Sequence, residues 1–235
     1  MLRKFFHRIH LLVSHKWFNT IEKDLGFLGI KDLGIVFDVG AHLGQTTLHF
    51  RKVFSSADVH SFEPISQNFD QLKINIRGRN RVYTNQFALG SSKGIEMIKI
   101  GDSDQTHSMY RNLQESVESK DETQKIRVET IDSYLSEHGI IGIDLLKIDV
   151  EGHELEVLKG ADKTLKKHRI KVILAECDFS PQDKQHTYFN ELWDFLRERN
   201  FSFFGLYDVI HYGRGSGIGY CNALFIEKTV FKERS

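Results

Sequence analysis

The sequence predicts one doubly wound α/β domain, and three observations carry that expectation. The run Ile35 to Thr47, IVFDVGAHLGQTT, reads as a strand, a tight glycine turn and the start of a helix. Strand-like and helix-like segments then alternate along the chain. A second strand-to-helix turn, Leu145 to Ala161 (LLKIDVEGHELEVLKGA), gathers acids and an imidazole at an equivalent place. A length of 235 residues with 40% hydrophobic content suits one packed core.

Residues 1 to 17 place Leu2, Phe5, Phe6, Ile9, Leu12, Val13 and Trp17 at helical spacing, with Lys4, His7, Arg8, Ser14 and His15 largely opposite. This is an amphipathic pattern with two open readings: a cap on the domain or on a second subunit, or a peripheral membrane contact. Residues 1–33 form an N-terminal amphipathic helical segment, and 34–235 the main domain. No apolar run reaches the roughly 18 residues of a membrane span, and Arg8 and His10 interrupt a signal-peptide core.

The first strand, 35 to 39, is apolar enough to be buried on both faces, and a helix follows over 44 to 54. The second strand, Asp58 to Phe62, runs into Glu63-Pro64; then come a helix over 66 to 77 and a third strand over Val82 to Leu89. Residues 90 to 130 read as loop and lid with one exposed strand, and His107 and Ser108 within them are either solvated or in contact with substrate. Beyond the second turn, Lys171 to Ala175 is a strand, 185 to 199 a helix, and Phe201 to Tyr207 and Tyr220 to Ile226 the last two strands. YGRGSGIGY between these has alternating glycines, but a strand follows it, so no helix N-terminus is on offer for a phosphate.

The glycines at 40 and 44 let the backbone turn sharply and lie against a ligand. Glu63, 19 residues beyond Gly44 and at the end of the second strand, is placed to accept both hydroxyls of an adenosine ribose. Asp149 closes a neighbouring strand and is expected beside the Asp38–Gly44 loop, with Glu151, His153, Glu154, Glu176 and Asp178 at the same mouth. Only His153 has an ordinary pKa near neutral pH, so it is the candidate proton acceptor, grouped with Asp149 and Glu151 as catalytic candidates. Two rivals stay open: a His153 that only positions the turn, and Mg²⁺ held by Asp149 with Glu176 or Asp178. No zinc signature appears among twelve histidines, and no metal is assigned.

Lys plus Arg equals Asp plus Glu at 32 each, so nothing global attracts nucleic acid, and none is expected as a partner. The two cysteines, Cys177 and Cys221, sit in apolar strand-like surroundings and read as buried thiols of a cytoplasmic protein.

DVGAHLGQTT, then SFEP, then LLKIDVEGHELEVLKGA resemble the FkbM family of S-adenosylmethionine-dependent methyltransferases, over about residues 35 to 178. The resemblance implies a Rossmann-like, doubly wound, mostly parallel seven-stranded sheet with helices on both faces and an antiparallel last strand. It implies S-adenosylmethionine as cofactor, held by Asp38, Gly40, Ala41, His42, Gly44, Glu63, Pro64 and Asp149. It implies O-methylation of a hydroxyl on a sugar, glycan or other natural product, so that residues 34–235 form the methyltransferase domain. His42 departs from the pattern, since the wider class often has glycine there and the family often asparagine. Methylases of exocyclic amines resemble one another in an (N/D)PP(Y/F) turn, and this chain has only Pro64 and Pro181. Two alternatives remain: an NAD-type oxidoreductase, although GxGxxG is missing at residues 40 to 45, and a non-catalytic binding module.

Overall fold

A computed structural model describes residues 21–100, 108–109, 122–180, 185–211 and 217–232. The amphipathic segment 1–17 and His107 lie outside the described residues.

The chain opens with a helix over residues 21–27, α1. There follow β1 (Ile35–Val39), α2 (Gln45–Val53), β2 (Asp58–Phe62), α3 (Ser66–Asn75) and β3 (Val82–Asn85). An excursion then supplies β4 (Ala88–Leu89), β5 (Gly94–Ile100), β6 (Ser108–Met109) and β7 (Glu122–Glu129). The second half comprises α4 (Ile131–His138), β8 (Ile143–Ile148), α5 (Glu154–Lys159), α6 (Asp162–Lys166), β9 (Ile170–Asp178), α7 (Phe189–Arg197), β10 (Phe201–Tyr207), β11 (Tyr220–Glu227) and α8 (Thr229–Lys232).

Seven strands form the main sheet in the order β10-β11-β9-β8-β1-β2-β3. β9, β8, β1, β2 and β3 pair in parallel, while β11 runs antiparallel to both β9 and β10. This is the Rossmann-like sheet with an antiparallel last strand that the resemblance implied. Successive residues of its central strands are buried on opposite faces. Phe37, Leu146, Ile173 and Phe225 enter one core, and Val36, Leu145, Val172 and Leu224 the other, with Ile21 and Leu25 of α1 and Phe50 of α2. A strand covered on both sides needs apolar residues at every position, which is why these segments read as continuous hydrophobic runs. Asp24 of α1 also accepts a hydrogen bond from the Tyr207 hydroxyl at 2.6 Å, tying α1 to β10.

The structure corrects three expectations. Residues 90–130 are not only loop and lid: β5 pairs antiparallel with β7 from Gly94↔Val128 to Ile100↔Glu122, in a second sheet of order β4-β7-β5-β6. Ile98, Ile126 and Val128 bury its inner face, while Lys125 and Arg127 between them make the stretch look uniformly polar. The expected third strand over Val82 to Leu89 divides, because the chain leaves the main sheet after Asn85 and Ala88–Leu89 pairs with β7. The helix expected from 185 begins at Phe189, since Tyr188 is extended and bridges to Asp178, whose N–H donates to the Thr187 carbonyl at 3.1 Å.

Candidate active site

The carboxyl ends of β1, β2, β8 and β9 converge on one edge of the sheet, where ligands bind in open α/β folds. Gly40, just past β1, has φ +78°, and a Cβ there would stand 1.8 Å from the carbonyl oxygen of Asp149. The second strand-to-helix turn therefore lies directly on the first, as the sequence suggested for Asp149. Gly44 has φ +88°, and its absent side chain admits Leu72 of α3. Ala41 is buried against Phe69 and Leu72, which fixes the loop from below.

Glu63 organises this loop from the next strand. Its Oε2 accepts the His42 N–H at 2.9 Å and its Oε1 accepts the Ile65 N–H at 2.9 Å. His42 has φ +48°, the left-handed conformation that the wider class meets with glycine, and this geometry aims its N–H at Glu63. Burial pushes the Glu63 carboxyl up to about 7, against the pull of the two N–H groups, Asn68 and Lys147. The Pro64 carbonyl accepts from the side-chain amide of Gln124 at 3.2 Å, so the second sheet holds the turn that carries Glu63.

Lys147 escaped the sequence analysis. It sits in β8 with its ammonium 3.4 Å from Asp38 Oδ1 and 3.3 Å from Asp149 Oδ2, and it donates to the Gly40 carbonyl at 3.3 Å. Desolvation opposes its charge, but Asp149 and Asp38 outweigh it and hold its pKa above the ordinary lysine value. Thr47 of α2 donates its hydroxyl to the other Asp38 oxygen at 2.6 Å. Its signal was a lysine inside LLKIDV, a strand otherwise apolar enough to be buried on both faces.

At the second turn Glu154 is structural. Its Oε1 accepts from the N–H groups of Val150 (2.9 Å) and Gly152 (3.3 Å), and its Oε2 accepts the Thr187 hydroxyl. Glu151 has φ +53°. Burial, with Asp149 and Glu154 close by, pushes its carboxyl up to about 8. His153 is the N-terminal cap residue of α5 and half-buried. Glu176, buried near the end of β9, has its pKa raised by desolvation and then by Asp149, Glu154 and Glu151. It faces His186, whose Nε2 is 3.9 Å away and whose ring stacks on Tyr220 with centroids 4.7 Å apart. One ligand atom from each of Glu151, Glu176 and His186 lies within 4.8 Å of the others. Asp178, two residues further along β9, is buried and outside that group. His186 and Tyr220 were missed as site residues: they lie far apart in sequence and meet only because β11, which Tyr220 begins, inserts beside β9.

The Methyltransferase FkbM domain matches residues 38–203, from the Asp38 loop through β9 into β10. The chain belongs to the FkbM methyltransferase family. Among curated FkbM-like relatives, the hexuronic acid methyltransferase AglP of Haloferax volcanii is 28% identical over 153 residues, covering 63% of this chain and 59% of that protein. The 31-O-demethyl-FK506 methyltransferase FkbM of Streptomyces tacrolimicus is 28% identical over 157 residues, covering 54% and 59%. The matched region thus spans about three-fifths of the length of these relatives. Among solved structures, a fibrillarin in a fibrillarin/NOP5P complex superposes with a TM-score of 0.50 at 16% identity, over 83% of this chain and 72% of that one. That likeness concerns the fold. Family membership supports S-adenosylmethionine as cofactor, and the chain gathers Asp38, Glu63, Asp149, Glu151 and Glu176 at the carboxyl ends of β1, β2, β8 and β9. Such a donor set fits a ligand that carries a sulfonium and an ammonium. The pyrophosphate of a dinucleotide would meet the same carboxylates unfavourably.

Proposed function

We propose that this chain is an S-adenosylmethionine-dependent O-methyltransferase acting on a hydroxyl of a sugar, glycan or other natural product. The observation that supports it most is the acidic crevice itself, in which Gly40 leaves no Cβ between the β1 loop and Asp149 while Glu63 stands at the end of β2. The names of two relatives, one for a hexuronic acid and one for 31-O-demethyl-FK506, favour an oxygen acceptor on a sugar or other natural product. A net charge of zero favours such an acceptor over nucleic acid. Cytoplasmic residence is supported by two buried free thiols, Cys177 and Cys221.

S-adenosylmethionine, when bound, supplies a methyl group on a positively charged sulfur. Glu63, which anchors the loop through His42 and Ile65 and also accepts from Asn68, is the group assigned to the ribose hydroxyls. Ala41, His42, Gly44 and Pro64 shape that wall, and Lys147 fixes Asp38 and Asp149 so that the carboxylates stand preorganised. His153 takes the proton from the acceptor oxygen, with Asp149 setting the negative potential around it and Glu151, its carboxyl raised to about 8, able to carry a proton beside it.

Isothermal titration tests the cofactor: binding of S-adenosylmethionine without NAD is expected, and the reverse would overturn the proposal. For the base, His153→Ala is expected to lower turnover about 10²–10⁴-fold with cofactor affinity unchanged. Full activity in that variant removes His153 from the mechanism.

A further inference from the structure

We propose that Glu151, Glu176 and His186 form a binding site for one divalent first-row transition metal ion of the Mn²⁺ or Zn²⁺ kind. Three separate elements bring them together: the turn after β8, the end of β9, and the segment leading into α7. Their ligand atoms lie within 4.8 Å of one another. Metal–ligand bonds of about 2.0–2.2 Å set neighbouring ligands about 3–4 Å apart, so small side-chain rotations close the site.

Glu176 is the decisive group. It is 8% exposed, and the His186 Nε2 lies 3.9 Å from its carboxylate, with Glu151 as the third member of the same group. Lys147, the cation nearby, already bonds to Asp38, Asp149 and Gly40. A buried carboxylate crowded by other acids is costly to ionise, and a cation between it, Glu151 and an imidazole relieves that cost.

The surroundings hold the ligands in place before any ion arrives. Tyr220 stacks on the His186 ring with an interplanar angle of 10°. Glu154 clasps the Glu151 turn and the 185–187 segment at once, through Val150, Gly152 and Thr187. Two carboxylates and one imidazole suit Mn²⁺ or Zn²⁺ better than Mg²⁺, which favours oxygen and water. The ligand set also differs from the Asp149-based one considered for Mg²⁺, because Asp149 pairs with Lys147. Where the methyltransferase reading holds, the ion would lower the pKa of an acceptor hydroxyl at its open positions. The proton then passes to His153, and the carbon–oxygen bond forms as the carbon–sulfur bond breaks, releasing S-adenosylhomocysteine. Binding of the ion itself does not depend on that reading.

The test is a titration of the metal-stripped full chain with Mn²⁺, followed by electron paramagnetic resonance, with Zn²⁺ and Mg²⁺ as competitors. One saturable site is expected, weakened at least tenfold in Glu176→Gln and in His186→Gln, and displaced by Zn²⁺ far more readily than by Mg²⁺. Circular dichroism checks that the variants fold. In the unaltered chain, Mn²⁺ should broaden the proton resonances of His186 and Tyr220 before those of other rings. Absence of saturable binding below about 1 mM, unchanged binding in both variants, or tighter Mg²⁺ than Mn²⁺ binding would each overturn the site. S-adenosylmethionine affinity measured in chelator separates the two proposals: cofactor binding without metal binding sinks only this one.

Discussion

At Gly40 the loop after β1 and the turn after β8 come closer than any side chain permits. Gly40→Ala combines a left-handed alanine with a collision against the Asp149 carbonyl, 1.8 Å from the new Cβ. A loss of about 2–4 kcal/mol in urea unfolding is expected, together with weaker cofactor binding. A variant as stable as the parent would mean that the two turns can separate freely. Glu63 offers a pH signature. With its carboxyl raised to about 7, it is protonated below that pH and can no longer accept from both ribose hydroxyls while holding His42 and Ile65. Affinity for S-adenosylmethionine should therefore fall as pH drops from 8 to 6, by up to about tenfold per unit below 7. Glu63→Gln should bind more weakly by roughly 1.5–3 kcal/mol and lose that slope; a slope that survives in calorimetry would point to another group. These residues were legible because each marks a fixed place on a βαβ unit: glycine where the backbone turns, acid where the next strand ends. His186 was not, because nothing local in HTYF says that Glu151 will face it.

Among the elements, the excursion between β3 and β8 was the hardest to read. The main-sheet strands announce themselves by unbroken apolar runs, whereas β7 buries Ile126 and Val128 and turns Lys125 and Arg127 outward. Two inward residues in a charged tract are a faint pattern, and their partner β5 lies across a long connection. The helix that follows, α4, begins with a clear device: the Thr130 side chain accepts from the Ser133 N–H at 3.1 Å, and the Ser133 hydroxyl accepts in return from the Thr130 N–H. Ile131, Tyr134 and Leu135 then bury its inner face. Thr130→Ala should cost about 1 kcal/mol of unfolding free energy, while leaving S-adenosylmethionine affinity unchanged. A large loss of affinity would show that the cap bears on the crevice.

On the scale of the whole molecule, acid stability should depend on one buried imidazole. His60 in β2 stacks on Tyr83 with centroids 4.7 Å apart, and its Nδ1 lies 2.8 Å from the Tyr134 hydroxyl. Burial lowers its pKa from 6.5 to about 4, so between those values the unfolded chain binds a proton that the folded one refuses. Stability from this group is lost as pH falls from about 6.5 to about 4, by at most about 3 kcal/mol. Glu63 works the other way, because its folded pKa is raised and the folded chain takes up its proton first. Comparison with His60→Gln isolates the imidazole: between pH 7 and pH 4 the parent should lose about 3 kcal/mol relative to the variant. Parallel pH profiles for the two proteins would rule His60 out as the source.

β11 is the last strand of the sheet in the chain, yet it lies between β9 and β10. A nascent chain on the ribosome can pair β1, β2, β3, β8 and β9 as each emerges, but β10 must wait for a neighbour that has not yet been made. Until Tyr220–Glu227 arrives, β9 presents an open edge from Val172 to Asp178, and His186 has no Tyr220 to rest on. The site is thus completed only when β11 arrives, the strand that closes its sheet.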